Sequence, residues 1–556
     1  FDSDKIIEVK PNSVLKITLD KPIMDRAPSN PFEQLDFSGF NSDGAESLHQ
    51  ILKNIRRAKT DENIKGIYLH LGNIAAGSAT LTEIRNALSD FKSEGKFIVS
   101  FANYYTHGSY YLATVADKVY VNPEGAVTMA GFSAQIMFYK KTLDKIGIEP
   151  QVIRHGKYKS AVEPFLGNEM SEANREQISE YLGSMWNELL AKVSEARSIE
   201  VAELQRMADE MLITNTDDAV KFNLVDGVRY YDQVLDELKA NVGINADTAI
   251  SFVKLGDYTN APKPPKDKLI TNTGKIAVVY AQGQIGDGKG NDSEIGTQNV
   301  ASALRKARED KKVKAVVLRV NSPGGSALTS EVILREVQLT QKIKPIIASM
   351  GDVAASGGYY ISCLADTIVA SPNTITGSIG VFGLMFQAQE LIEKKIGINV
   401  EVVNTAKHAD LGSMFRPLSQ DERGLIKKSI EEIYDTFIEH VADGRGMTKE
   451  QVDEVGQGRV WSGRDAQKLG LVDVLGGLNE AIAIAAERAK LEDYTIIELP
   501  KQKDPFEEIL TQFSGSASIE QMFLKNTNLN PYLEHLNNLT KIRGAQMRLP
   551  YDIVIE

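Results

Sequence analysis

Apolar positions along this chain follow two periods in alternation. The stretch 14–23 (VLKITLDKPI) is strand-like, while 45–58 carries Leu48, Ile51, Leu52 and Ile55 at helical spacing on one face. Ile67 to Leu71 predicts a buried strand. A small-residue turn at Ala75 to Ser78, a helix over Leu81 to Phe91 and a strand at Phe97 to Ser100 follow it. Short apolar strands alternating with amphipathic helices imply a parallel sheet flanked by helices, because parallel neighbours reconnect only through a crossover.

The same programme then returns. Residues 67–117 and 316–366 correspond, with an offset of 249 over the end of the window that sets Tyr110, Tyr111 and Asp117 against Tyr359, Tyr360 and Asp366. Further on, Ile146-Gly147-Ile148 matches Ile396-Gly397-Ile398, and Leu224-Val225-Asp226 matches Leu471-Val472-Asp473. A long helix is predicted to open near Ser171 in one copy and Ser419 in the other, the second with Glu422 placed for a capping box. The chain therefore reads as a tandem duplication of one α/β unit of roughly 230 residues. Residues 1–256 form the first repeat, the Pro/Lys-rich stretch 257–272 a linker, 273–500 the second repeat, and 501–556 a tail without an assigned role.

Composition narrows the function classes. A net charge of −12 without basic runs argues against a nucleic-acid partner. One cysteine, Cys363, excludes an intrachain disulfide and any multi-cysteine metal site. No apolar run approaches the eighteen or so residues that span a bilayer. The chain begins at Phe1 rather than Met, which leaves room for a removed N-terminal segment.

The candidate chemistry centres on Ile346 to Ile361, IIASMGDVAASGGYYI. Ile346 to Ser349 predicts a short strand broken at Gly351, and Tyr359-Tyr360 resume a longer helix-like pattern. Between them Ser356 stands among minimal side chains at a strand-to-helix turn, where a nucleophilic hydroxyl or a plain helix cap would sit. Asn321-Ser322-Pro323-Gly324-Gly325-Ser326 follows the strand Ala315 to Val320 and precedes a helix near Glu331. A Pro-Gly-Gly turn there exposes backbone amides at the ligand-binding edge of a parallel sheet, and with the Gly357 amide these could stabilise an oxyanion. The first copy has lost both features, with His107 in the place of Ser356 and Ile74-Ala75-Ala76-Gly77 in the place of Ser322-Pro323-Gly324-Gly325.

None of the seven histidines lies in a local catalytic signature, so a lysine is the candidate base. Holding an amine of ordinary pKa about 10.4 neutral near pH 7 costs roughly 4–5 kcal/mol, which burial in a fold must impose. Lys159, in GKYKSAVEPF, faces Ala409 of the second copy when the repeats are registered on Ile-Gly-Ile. Serine survives only in copy two and this lysine only in copy one, as expected if one site draws on both.

On the signatures YKSAVEPF, RVNSPGGS and AASGGY the sequence resembles the signal peptide peptidase A family of long, tandem-domain type. These are serine–lysine peptidases with a Clp-protease/crotonase-like fold. The resemblance runs from about Val14 to Leu499. It implies Ser356 as nucleophile, Lys159 as general base, Gly324, Gly325 and Gly357 as oxyanion donors, and Ser378 of Thr376-Gly377-Ser378-Ile379-Gly380 as the residue orienting the lysine. It further implies no cofactor and no metal, and as substrates signal peptides and short apolar peptides. An N-terminal membrane anchor absent from this chain, a homo-oligomeric, tetrameric ring, and a bacterial inner-membrane location with the catalytic part facing the periplasm or cell exterior also follow from it.

Three rival readings remain at this level: His408 as a local base, a crotonase-like acyl-CoA enzyme using the same glycine turn, and a non-catalytic ring scaffold. Asp287 to Asp292 has a passing likeness to a calcium loop. Lysine at its third position and aspartate at its sixth, where glycine is needed, spoil it.

Overall fold

A computed structural model of the chain describes residues 7–28, 44–262, 274–502 and 545–549. These fall into two compact units. One holds the described residues up to 132 together with 185–262, and the other holds 133–184 with everything described from 274 onward.

In the first unit six strands lie in the order Gly227–Val228, Lys118–Val127, Phe97–Tyr105, Ile64–Leu71, Ser13–Ile17, Phe252–Lys254, every pairing parallel. Side chains of successive strand residues leave by opposite faces. Ile67 and Leu69 join Leu52, Ile55, Ile84 and Leu88 of the helices Leu48–Thr60 and Ser78–Lys92 on one side. Tyr68 and Val99 meet Val234 and Leu238 of the helix Tyr231–Val242 on the other.

The second unit repeats this plan. Ile375–Gly377, Ile346–Ala355, Val313–Ser322, Gly274–Gln282 and Tyr494–Leu499 pair in parallel, with Val460–Ser462 antiparallel at one edge. Val316 and Leu318 pack on Leu304, Ile333 and Val337, while Val317 and Ile347 face Leu478, Ile482 and Ala485. Each fully buried Val, Leu or Ile among them contributes about 1.5–3 kcal/mol of transfer free energy.

The duplication reaches single hydrogen bonds. Tyr110 OH donates to Leu224 O at 2.6 Å and Tyr359 OH to Leu471 O at 2.9 Å. Asp117 accepts from the Ile98 amide, and Asp366 from the Ile346 amide. Asp226 takes the Val119 amide as Asp473 takes that of Ile368.

Three features differ from the sequence reading. The strand does not break at Gly351 but runs Ile346–Ala355, because the glycine leaves room for Asn321, whose Oδ1 accepts from the Val353 amide at 3.1 Å. The helix after Ser356 is one turn, Gly357–Tyr360, and the Ser362 and Ala365 amides then close tight turns onto Tyr359 O and Ser362 O. Residues 133–184, on the first-copy side of the repeat, pack in the unit that holds Ser356. Of the linker read at 257–272, Asp257–Asn260 forms a short 3-10 helix and residues 263–272 lie outside the described residues, as does 503–544 of the tail.

The second unit carries a further sheet. Its strands run Glu294–Ile295, Gln284–Ile285, Gly324–Ser326, Ala545–Arg548, Phe382–Gln387, Glu149–Arg154, and this sheet brings the lysine-bearing segment to the serine.

Candidate active site

Ser356 follows the end of the strand Ile346–Ala355, with its backbone at φ 56°, ψ −114°. A non-glycine residue there costs about 1–3 kcal/mol and persists only where its surroundings hold it. Its amide donates to Gly377 O at 2.8 Å. Ser356 occupies the N-cap position of the turn Gly357–Tyr360, yet its hydroxyl caps no helix amide. Instead Oγ lies 2.7 Å from Lys159 Nζ, and both side chains are fully buried.

Lys159 is delivered by the strand Glu149–Arg154, which pairs antiparallel with Phe382–Gln387, Arg154 opposite Phe382. Arg154 donates to Lys159 O at 3.0 Å and the Tyr158 amide to Gln457 O at 2.9 Å. The buried Gln177 spans the segment, donating to Tyr158 O and Ser160 Oγ while accepting from the Val460 amide. Two glycines make room for the lysine. A methyl group added at Gly458, whose φ is +81°, would lie 2.7 Å from the N, Cα and Cβ of Lys159. One at Gly380 would lie 3.2 Å from its Cδ.

The amine has three neighbours: Ser356 Oγ at 2.7 Å, Ser378 Oγ at 2.9 Å and Ser378 O at 3.0 Å. Burial pushes the Lys159 pKa well below its ordinary value. A neutral amine has two N–H donors and one lone pair. With the amine neutral, the two contacts to Ser378 take those donors and the lone pair is left for the Ser356 hydroxyl. Ser378 is itself held at φ 50° by donating its amide to Arg459 O at 2.6 Å.

The glycine turn lies alongside. Gly324 has φ +98° and Gly325 +153°, and an added methyl at Gly357 would sit 3.1 Å from both the Gly325 nitrogen and Gly324 Cα. The Gly324 amide donates to Ser322 Oγ at 3.1 Å, which engages it within the turn. Gly357 thus lies close to the Gly325 nitrogen at this turn. Asp287, from the calcium-like stretch, accepts from Ser326 Oγ and Thr329 Oγ1, each at 2.8 Å, and so braces the end of this turn. Among the described residues no His, Cys, Asp and Glu cluster could hold a metal.

The two histidines weighed at the sequence level lie elsewhere. His408 Nδ1 sits 3.2 Å from Glu422 Oε1, in an ion-pair cluster with Arg416 and Asp410. His107 accepts from the Ala130 amide and packs edge-on against Phe132 and Trp186, an aromatic plug where the other copy has its serine.

A model of "Peptidase family S49" matches residues 89–245 and again 338–492. Protease 4 of Haemophilus influenzae is 40% identical over 462 residues, covering 81% of this chain and 74% of that protein. The chain belongs to peptidase family S49. It carries two S49 domains in tandem and is a serine peptidase. The chloroplastic serine protease SPPA of Arabidopsis thaliana is 35% identical over 549 residues, 97% of this chain and 78% of that protein. A ClpP1 variant from Listeria monocytogenes overlays at 14% identity and a TM-score of 0.26, covering 37% of this chain and 94% of that one. The S49 matches hold Lys159, Ser356 and Ser378, while Gly324 and Gly325 lie outside them.

Sequence reasoning passed over Gln177, Gly458 and Arg459 and gave Gly380 no role of its own. Gly458 could have been flagged from Gly456-Gln457-Gly458, but only the fold shows that a side chain there would strike Lys159. Gln177 gave no signal beyond being a polar residue on an amphipathic helix.

Proposed function

We propose that the chain is an endopeptidase in which Ser356 is the nucleophile and Lys159 the general base. The observation that carries this reading is the 2.7 Å approach of Nζ to Oγ, within one chain, in a site where both groups are fully buried. The Ser356 Oγ–H adds across the peptide carbonyl: oxygen bonds to carbon and the proton passes to the Nζ lone pair. The oxyanion is received by the Gly325 and Gly357 amides, each typically worth ~3–4 kcal/mol. The new ammonium keeps its contacts to Ser378 O and Oγ, then returns its proton to the leaving nitrogen as the C–N bond breaks. Water, deprotonated by the same amine, releases the acyl group from Ser356. Ser378 positions the amine in this scheme.

The substrates we propose are cleaved signal peptides and other short apolar peptides, a reading supported by the resemblance to signal peptide peptidases. With it goes a homo-tetrameric assembly at a bacterial inner membrane, catalytic part facing the periplasm or cell exterior. The exposed apolar side chains Ile396, Ile398, Val402 and Val403 favour a face covered in an assembly. Among the described residues no helix is long and apolar enough to cross a membrane. The test is Ser356→Ala assayed on an internally quenched apolar peptide and on an acyl thioester. Loss of peptide hydrolysis is expected, and retained turnover of either substrate would defeat the serine mechanism.

A further inference from the structure

Lys159 and Ser378 belong to distant segments, and one short span of backbone touches both. Residues 457–462 pass along the edge of the main sheet, where Val460–Ser462 pairs antiparallel with Ile375–Gly377, Val460 opposite Gly377. Just before that pairing the Gly458 amide donates to Ile379 O at 2.7 Å, and Arg459 O accepts from the Ser378 amide at 2.6 Å. The same span meets the lysine. Gln457 O accepts from the Tyr158 amide at 2.9 Å, and Gly458 packs on the Lys159 backbone. Any shift of residues 457–460 therefore moves the amine relative to the serine that orients it.

An edge strand of three residues has a sheet partner along one side only, so side chains must help to fix it. The Arg459 guanidinium lies over two rings, 4.6 Å from the centroid of Tyr158 and 4.4 Å from that of Trp461. One of its nitrogens donates to Tyr158 OH at 3.0 Å, and the other reaches Glu180 at 2.5 Å and Glu176 at 3.0 Å. Tyr158 immediately precedes Lys159, and Glu176 and Glu180 flank Gln177, which itself bonds Tyr158 O and the Val460 amide. Only 15% of the Arg459 side chain is exposed, unlike a solvated surface pair, and its planar fork meets rings and carboxylates together as an ammonium cannot. The first copy offers a comparison. Ser462 and Asn215 cap equivalent short helices, and Ala466 accepts from the Leu471 and Val472 amides as Ala219 does from those of Leu224 and Val225. Counting back from these pairs sets Met211 in the place of Gly458 and Leu212 in the place of Arg459. The copy with His107 where the other has Ser356 thus has neither the glycine nor the arginine.

We infer that Arg459 is a positioning residue for the peptidase reaction: by clamping residues 457–460 to Tyr158, Glu176 and Glu180 it holds Lys159 and Ser378 in register with each other. The inference rests on the reading of Ser356 as nucleophile and Lys159 as base. It adds to that reading a residue that acts through both segments and touches neither reacting atom.

The test compares the full chain with Arg459→Met, which keeps the stem and removes the fork, and with Arg459→Lys, which keeps the charge. All are assayed on an internally quenched apolar peptide. Active sites are counted by carrying fluorophosphonate labelling of Ser356 to completion, so a variant that merely folds poorly shows fewer sites but native kcat per site. Arg459→Met should lower kcat per site about tenfold with KM within about twofold, because a displaced base loses rate rather than binding. Water admitted around the amine should also move the pH at which kcat/KM levels off upward. Arg459→Lys should recover part of the rate, leaving a loss of about threefold. In a Ser378→Ala background the Arg459→Met loss should shrink at least about threefold, since part of its effect runs through Ser378. Native kcat per site with an unmoved pH profile, or a loss confined to KM, overturns the inference; where Arg459→Met fails to fold, the same result in Arg459→Lys does so. Failure of the probe to label Ser356 in the unaltered chain overturns the underlying reading instead, and the inference with it.

Discussion

Replacing Lys159 by methionine keeps the length of the side chain and removes the amine. Two consequences can be worked from the same titration. In the native chain burial holds the amine well below its ordinary pKa, with no carboxylate among its contacts to restore it. The unfolded chain, with an ordinary lysine, therefore binds one more proton in the window between the folded-state value and about 10.4. Stability must rise with pH across that window by ~1.4 kcal/mol per unit and stay level on either side, because outside it both states carry the same proton count. Lys159→Met abolishes this rise. The stability of the native chain relative to the variant should therefore climb by ~1.4 kcal/mol per pH unit from the folded-state value upward. In the native enzyme kcat/KM should rise tenfold per unit up to that same pH and then level off, since only the neutral amine accepts the serine proton. The variant should lose about 10²–10⁴-fold in kcat at every pH. Urea unfolding followed by Trp461, in a Trp186→Phe background so that only the serine's unit is read, supplies the stability arm. A stability difference flat from pH 7 to 10, or a variant keeping more than a tenth of the activity, would refute the reasoning.

Other consequences follow from individual contacts. Ser378→Ala removes the partner 2.9 Å from the amine and leaves the carbonyl at 3.0 Å. Steady-state kinetics should show kcat down about 10- to 100-fold with KM nearly unchanged. Gly458→Ala, at φ +81° and against the Lys159 backbone, should cost about 1–3 kcal/mol in a denaturation curve and at least about tenfold in kcat; native-like values of both would contradict the packing. His408→Ala should leave kcat within about twofold, because its partner is Glu422 and not Ser356; a loss comparable to that of Lys159→Met would restore the histidine as base.

The alternation of strands and helices was legible because each element has one face to bury, and buried faces leave a period in the sequence. Tyr110 with Leu224 and Tyr359 with Leu471 show that the repeat, too, was readable down to single side chains. The loss of serine from one copy and of the lysine from the other singles out Ser356 and Lys159 in the sequence, and the two side chains meet in the fold. What stayed hidden depends on contacts between residues far apart in the chain. No local pattern announces that Glu149–Arg154 pairs with Phe382–Gln387, since pairing of antiparallel edges is decided by their meeting and not by either strand's composition. Met547 and Leu549 form too short an apolar alternation to stand out in a 56-residue tail, yet they bury completely or nearly so once paired. Gly351 misled because a glycine in a strand can mean a break or a close approach, and here Asn321 supplies the approach.

The most direct test of the central claim is covalent. The unaltered chain is treated with a serine-directed fluorophosphonate across a pH series, and the modified residue is located by peptide mass spectrometry. A single adduct on Ser356, forming faster as pH rises to a plateau and lost in Lys159→Met, is the expected result. An adduct on another serine, or one on Ser356 whose rate is indifferent to both pH and Lys159, would contradict the account.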